Sequence, residues 1–166
     1  MFLGDLSENA KIAFLDLAMI CARSDGKMED EEIVVLNQYC DEMDIQMPQK
    51  TTKYDYIIDA FENDKDEYKR SIDKIIASLK DETKDFILSA LGSIGTQRAK
   101  KIYFELLALV YSDGAVTQIE EDILKRLSLY ITENDINMLT ICASGILSGI
   151  KSAKTLELLH LKTKGE

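Results

Sequence analysis

The sequence predicts an all-α fold, a helical bundle in which two helix–loop–helix repeats are related by a pseudo-twofold axis. Apolar residues recur at steps of three and four positions along most of the chain, which is typical of amphipathic helices. Only one proline and eight glycines interrupt the 166 residues. A short turn sequence occurs twice, each time between helical patterns. No segment alternates apolar and polar residues between hairpin turns, so we predict no sheet.

Two segments are predicted to form the central helices of the bundle. Residues 8–24 contain AKIAFLDLAMICA, and residues 98–112 contain AKKIYFELLALVY. A helix that is apolar on nearly every face is one that is buried on several sides. Each segment carries one acid within its apolar stretch, Asp16 in the first and Glu105 in the second.

The remaining helices are predicted to be amphipathic and to pack around these two. TKYDYIIDAF follows the only proline, Pro48, and is succeeded by DEYKRSIDKIIASL and DETKDFILSAL, while SAKTLELLHL closes the chain. The length fits one domain, 1–166. Within it we predict a first repeat at about 8–47, connecting helices at about 51–94, a second repeat at about 97–148 and a C-terminal helix at about 151–163.

Charge and hydropathy limit the classes of partner. The net charge of −10 argues against nucleic-acid binding, which needs a concentrated basic surface, and favours cations or basic proteins. The first residues, MFLGDLSENAK, lack the basic and apolar regions of a secretory signal. The longest mostly apolar run, 138–150, is shorter than the roughly 20 residues that span a bilayer as a helix. We therefore expect a cytoplasmic protein without an integral membrane segment.

The reactive side chains do not form a recognisable catalytic motif. The cysteines, Cys21, Cys40 and Cys142, are odd in number and widely spaced, which favours buried thiols in a reducing compartment. The only histidine, His160, has no cysteine or carboxylate at the spacing of a zinc motif, and with one histidine the sequence suggests no Ser-His-Asp or Cys-His pattern. We therefore expect a protein that is not an enzyme.

The repeated turn is the most informative feature of the sequence. SDGKMEDEE begins at Ser24 and SDGAVTQIEE begins at Ser112, 88 residues later. Both copies fit S-D-G-x-φ-x-x-x-E-x-x-x-L, in which φ is apolar, and each lies between two predicted helices. A helix–loop–helix unit cannot bury its apolar face alone, so we expect the two copies to pack on each other.

One interpretation of the motif is purely structural. Glycine adopts positive φ angles just past a helix end, so the two Asp-Gly steps would end the first helix of each repeat. Glu32 would occupy position N3 if Glu29 caps the next helix, and Glu120 would do so with Thr117 as the cap. A glutamate in that position also favours the helix dipole by roughly 0.3–1 kcal/mol.

The other interpretation is a site for a divalent cation. D-G-x-φ-x-x-x-E matches the second half of an EF-hand loop, but Cys21 and Arg23 would fill the first ligand positions of one copy, and Leu109 and Tyr111 those of the other. These residues argue against a true EF-hand, because none of them is a good ligand for a hard cation. If the two turns meet, their carboxylates could still form one oxygen site for Ca²⁺, Mg²⁺ or Mn²⁺. Its candidate ligands are Asp25, Glu32, Asp113 and Glu120, and the sequence leaves open whether the turns meet.

The doubled motif resembles that of the TerB-like family of tellurite-resistance proteins. SDGKMEDEE and SDGAVTQIEE match the family pattern of Asp-Gly, an apolar residue and then Glu, and the resemblance covers about residues 10–146. Ser24 and Ser112 stand where the family usually has alanine. The resemblance implies a pseudo-twofold helical bundle, a stress-response role often near membranes, and no enzymatic activity.

The resemblance also implies which residues to test. The family's acidic residues are suspected of binding metal ions, and they correspond here to Asp25, Glu32, Asp113 and Glu120, with Asp16 and Glu105 as weaker candidates. The alternative is a scaffold or adaptor that binds a protein partner through an apolar groove or its acidic face. In that alternative the motifs only shape the turns. The identity of the partner, peripheral membrane association and the oligomeric state stay open.

Overall fold

The computed structural model describes residues 3–81, 94–112 and 114–129. The predictions for residues 82–93 and 130–166, which include the C-terminal helix and Cys142, lie outside the described residues. So does the candidate ligand Asp113.

Every regular element of the described residues is helical, so the all-α prediction is confirmed. A short 3-10 helix, Leu3–Asp5, precedes the first α-helix. The α-helices are α1 Glu8–Arg23, α2 Asp30–Met43, α3 Thr52–Asn63, α4 Lys65–Asp81, α5 Ile94–Val110 and α6 Gln118–Ser128. Helix α5 begins four residues before the segment predicted from its apolar pattern.

Helix α1 is the centre of the bundle, as its apolar sequence predicts. It begins at the cap Ser7, whose hydroxyl accepts a hydrogen bond from the backbone N–H of Ala10. It packs most extensively against α4 and also contacts α2, α3, α5 and α6. Burial on several sides explains why its sequence lacks a polar face.

The buried apolar side chains belong to one core. Its largest fully buried members come from five of the α-helices and the 3-10 helix, and each contributes about 1.5–3 kcal/mol through burial. They are Leu3, Phe14, Leu17, Met19, Ile20, Leu36, Met43, Tyr54, Tyr68 and Ile72, with Leu106 and Leu107 of α5. The thiols of Cys21 and Cys40 are free and buried in this core, as predicted.

Polar side chains fasten the outer helices to the core. Arg23, at the end of α1, forms a bidentate ion pair with Asp55 of α3, with nitrogen–oxygen distances of 2.8–3.0 Å. A second network joins α4 to α6, where the hydroxyl of Tyr68 donates to Asp122 at 2.8 Å. Arg126 completes it with hydrogen bonds to Asp122 at 2.7 Å and to Asp73 at 3.2 Å.

Within the described ranges, no helix combines the length and the apolar character needed to cross a membrane.

Candidate functional site at the paired turns

The first Asp-Gly turn ends α1 by redirecting the backbone. The hydroxyl of Ser24 donates to the carbonyl of Cys21 at 2.7 Å, and the N–H of Gly26 donates to the carbonyl of Arg23 at 3.1 Å. Gly26 has a φ of +100°, a conformation that side-chain-bearing residues rarely adopt. The glycine of the motif is thus required by the backbone.

The second turn repeats these contacts at positions 88 residues later. The hydroxyl of Ser112 donates to the carbonyl of Leu109 at 2.7 Å. The N–H of Gly114 donates to the carbonyl of Tyr111 at 3.2 Å, and the φ of Gly114 is +81°. The serine and the glycine of the second turn therefore make the same contacts as those of the first.

Each glutamate of the motif closes the first turn of the following helix. The N–H of Glu29 donates to the carboxylate of Glu32 at 2.8 Å, and the N–H of Thr117 donates to that of Glu120 at the same distance. The hydroxyl of Thr117 in return accepts from the N–H of Glu120 at 3.2 Å. The predicted caps, Glu29 and Thr117, are confirmed. Both glutamates are only 2% exposed.

The two turns meet through their hydroxyl groups. The side-chain oxygens of Ser24 and Thr117 lie 2.7 Å apart, a hydrogen bond between residues 93 positions apart in the chain. The sequence leaves open whether the two turns meet. They do meet, because Ser24 of the first turn contacts Thr117, the N-cap residue of α6.

The charges of the two buried glutamates both reach the thiol of Cys21. Burial raises the pKa of the Cys21 thiol well above its ordinary value, and the charges of Glu120 and Glu32 raise it further. A carboxylate from each turn therefore raises the pKa of the same buried thiol. The thiol stays protonated at neutral pH and is a poor nucleophile.

The aspartates of the motif are placed differently from the glutamates. Asp25 is exposed, and its carboxylate accepts a hydrogen bond from the N–H of Lys27 at 3.3 Å, which stabilises the turn. Asp113 lies outside the described residues. Among the residues that the structure does describe, no three or more histidine, cysteine or acidic side chains are grouped so as to hold a metal ion. What the fold brings together is the hydroxyl of Ser24 and that of Thr117, and each turn also has a buried glutamate.

The weaker candidate Asp16 is partnered within the bundle. Its carboxylate accepts from the hydroxyl of Tyr54 at 2.9 Å and forms an ion pair with Lys53 at 2.9 Å. Burial, and then the charge of Asp16, raise the pKa of Tyr54. These contacts fasten α3 to α1.

The other weaker candidate, Glu105, lies between α5 and α2. It is 8% exposed, and its backbone carbonyl accepts a hydrogen bond from the hydroxyl of Tyr39. Burial, and next the charge of Glu42, raise the pKa of the Glu105 carboxyl, while a hydrogen bond from Tyr39 opposes the shift. Glu42 is itself held by the N–H of Leu3 at 2.9 Å.

The contact between Ser24 and Thr117 is the feature that sequence reasoning missed. Both residues belong to the repeated motif, but the alignment pairs Ser24 with Ser112 and Thr117 with Glu29. We call this contact between the two turns the seam. It is formed by residues that are not equivalent in the two copies of the motif. The only available signal was that both residues carry a hydroxyl next to the turn.

The chain was compared with protein families, curated proteins and solved structures, and no match was found. What the paired turns could bind therefore has to follow from the side chains of the turns themselves. Each turn has a buried carboxylate, and the hydroxyls of Ser24 and Thr117 join the two turns. Hard divalent cations prefer oxygen donors of these kinds.

Proposed function

We propose that the chain is a non-enzymatic helical domain that binds a divalent cation at its paired Asp-Gly turns, in a stress-response role like that of the TerB-like proteins. The observation that carries the proposal is the hydrogen bond between Ser24 and Thr117, which joins the two turns. Ca²⁺, Mg²⁺ and Mn²⁺ are the candidates, because the available donors are oxygens.

We also propose that two halves of the chain are related by a pseudo-twofold axis. The support is the agreement of local contacts at an offset of 88 residues. Each Ser–Asp–Gly turn, each glycine with positive φ and each hydrogen bond from a cap N–H to a glutamate has its counterpart. Helix α6 also begins 88 residues after the first residue of α2.

The charge of the buried glutamates supports a cation rather than a neutral ligand. Glu32 and Glu120 both act on Cys21 and both come from acidic first turns. Two carboxylates in a site with little water repel each other, and a bound cation would offset that repulsion. In this proposal the buried glutamates supply oxygen ligands, and Asp25 and Asp113 are the other candidate ligands of the motif.

The test is thermal unfolding of the full chain, treated with chelator, after separate addition of Ca²⁺, Mg²⁺, Mn²⁺ and Zn²⁺. A free ion about a hundredfold above its dissociation constant adds roughly 2.7 kcal/mol of stability. We expect one oxygen-preferring ion to raise the melting temperature, and the double variant Asp25→Asn, Asp113→Asn to lose that response.

The matched control is Asp59→Asn with Asp66→Asn, two exposed acids on α3 and α4, which removes the same charge elsewhere. This control should keep the full ion response. The proposal fails if no ion shifts the unfolding of the wild-type chain up to millimolar concentration. It also fails if both double variants respond alike, since the effect would then come from net charge.

A second candidate function, binding of a protein partner as an adaptor, is favoured by a different observation. An open groove of about 210 Å³ lies between α1 and α4, lined by Ile12, Ala13 and Ile75 with Asp16 and Lys74 beside them. Ile12 is 52% exposed there. The capping contacts of both glutamates would then be purely architectural. Partner binding that is unchanged by chelator but lost in Ile12→Glu would favour this function.

A further inference from the structure

We infer that the outer face of α2 is a docking surface for a basic amphipathic helix of a partner protein. The α2 outer face is defined by the exposed residues that share one side of the helix at about 100° per residue. They are Asp30, Val34, Asn37 and Asp41, with Ile33 and Gln38 at the edges. The inference goes beyond the cation proposal and does not depend on it.

The first observation is that this face exposes two neighbouring apolar side chains. Val34 is 55% exposed and Ile33 is 36% exposed, whereas other exposed large apolar residues, such as Tyr56 and Val116, stand singly in the sequence. Helix α2 packs on the 3-10 helix, α1 and α5 through its buried residues, which lie on the opposite side.

The stability of the fold does not explain an exposed valine at position 34. More than half of its surface is accessible to solvent, so burial of this side chain contributes little. A β-branched residue is also a weaker helix former than the lysine, glutamate or alanine that suits an exposed helical position. Contact with a partner would give this side chain the burial that the described fold does not provide.

The second observation is the concentration of negative charge around the same helix. Residues 24–44 contain eight acids and one lysine, a net charge of −7 in a chain whose total is −10. Helix α2 contains no lysine or arginine, whereas each of the other described α-helices contains at least one. The α2 outer face therefore lies in the most negative part of the described chain.

This combination of charge and apolar surface identifies the chemistry of the occupant. Nucleic acids and anionic membrane surfaces are negative and would be repelled. A second copy that presented the same face would bring aspartates opposite aspartates. A basic partner is attracted instead, and apolar side chains between its lysines or arginines can pack on Ile33 and Val34.

The shape of the face favours a helical partner. Asp30 and Val34 are four residues apart, as are Asn37 and Asp41, so these side chains form a ridge of the kind that packs against a second helix. An amphipathic helix with basic residues beside its apolar stripe matches such a ridge in both shape and charge.

The test is binding of a synthetic basic peptide to the full chain, measured by fluorescence anisotropy. The peptide has about 18 residues, enough to form an isolated helix, with leucines at steps of three and four positions and lysines between them. We expect it to bind the wild-type chain. We also expect the largest changes in the amide resonances of the isotope-labelled chain to fall within residues 30–41.

The variant that removes the surface is Val34→Lys with Asp41→Lys, and we expect it to bind the peptide about tenfold more weakly. Both residues are exposed, lysine is a good helix former, and a cation near the end of α2 favours the helix dipole. The variant should therefore stay folded, which urea titration checks.

The matched control is Tyr56→Lys with Asp59→Lys on α3. It also replaces one exposed apolar residue and one exposed acid, and it changes the net charge by the same amount. This control should bind the peptide as the wild type does. Equal weakening in both variants would overturn the inference, because the binding would then depend on net charge alone.

Three other results would also overturn the inference. One is that the peptide does not bind the wild-type chain. Another is equal binding of a peptide with the same composition but alternating leucine and lysine, since an amphipathic helix would then not be required. The third is a dimer of the chain that is lost in the Val34→Lys, Asp41→Lys variant, since a second copy would then cover the face.

Chelator is present in every peptide titration, so the result does not depend on whether the paired turns bind a metal. A failure of the metal titration leaves the peptide result intact, and a failure of peptide binding leaves the cation proposal intact.

Discussion

The two Asp-Gly turns have the same internal contacts, whereas the helices that follow them differ in what covers them. Both turns use a serine, a glycine with positive φ and a buried glutamate in equivalent positions. Beyond the turn, α6 is joined to α4 by Tyr68, Asp122 and Arg126, while the equivalent face of α2 is exposed. The short motif thus encodes the turn and leaves the outer surface of each half free to diverge.

The caps of the two following helices also differ, and this difference creates the seam. Thr117 accepts from the N–H of Glu120 and shares a hydrogen bond with Ser24. Its counterpart in the first turn is Glu29, whose longer, charged side chain forms an ion pair with Lys27 at 3.3 Å. A symmetric motif therefore yields an asymmetric contact, in which the second cap holds the first turn.

The largest effect is expected from breaking the network that only the second half has. Tyr68→Phe removes a buried hydroxyl that donates to the charged group of Asp122, and such hydrogen bonds contribute about 1.5–3 kcal/mol. The free energy of unfolding from urea titration measures the loss. Tyr56→Phe, on a tyrosine that is 60% exposed, is the matched control and should change stability by less than about 0.5 kcal/mol.

Asp122→Asn and the double variant with Tyr68→Phe complete the comparison. Because both residues belong to one network, the two changes together should cost less than the sum of their separate effects. Additive effects would show that the hydroxyl and the carboxylate act independently. The contact between α4 and α6 would then depend on apolar packing alone.

The sequence was sufficient where the structure depends on short spacings. The all-α class, the central position of α1 and the caps at Glu29 and Thr117 follow from periods of three and four residues and from the cap-to-N3 spacing. The burial of Cys21 and Cys40 followed from their apolar neighbours at helical spacing. In each case the residues that form the pattern lie within about one helical turn of each other, so their spacing in the sequence is enough to predict the structure.

The sequence was insufficient where the contact depends on how helices cross. Ser24 and Thr117 are 93 residues apart, and Tyr54 reaches Asp16 across 38 residues. No periodicity states which helices become neighbours, so the four acids could be proposed as one site only on the condition that the two turns meet. The structure buries Glu32 and Glu120, whose charges both raise the pKa of the Cys21 thiol, and leaves Asp25 on the surface.

A smaller effect should distinguish the two serines of the repeated turn. Both hydroxyls donate to a carbonyl three residues earlier, but Ser24 also bonds Thr117 across the seam. We therefore expect Ser24→Ala to cost about 0.5–1.5 kcal/mol more than Ser112→Ala, the value of one net hydrogen bond. Urea titration of both variants measures the difference. Equal losses would mean that the contact across the seam adds nothing to stability.

The smallest effect on stability should come from Glu105. The sign of the change shows whether the charged carboxylate destabilises the fold because it is buried or stabilises it through a contact. Burial, followed by the charge of Glu42, raises the pKa of the Glu105 carboxyl, so the folded chain holds this proton more tightly than the unfolded chain does. The wild type therefore gains stability from this group as pH falls through the raised folded value towards the unfolded value of about 4.3.

Glu105→Gln cannot titrate, so we expect it to stabilise the chain slightly at neutral pH and to lose this advantage as the solution is acidified. Thermal unfolding as a function of pH measures the difference, with the exposed residue Glu62, changed to Gln, as the control that should show little change. A loss of stability in Glu105→Gln at neutral pH would reverse the interpretation. The charged carboxylate would then be making a favourable contact in the folded chain that outweighs the cost of its burial.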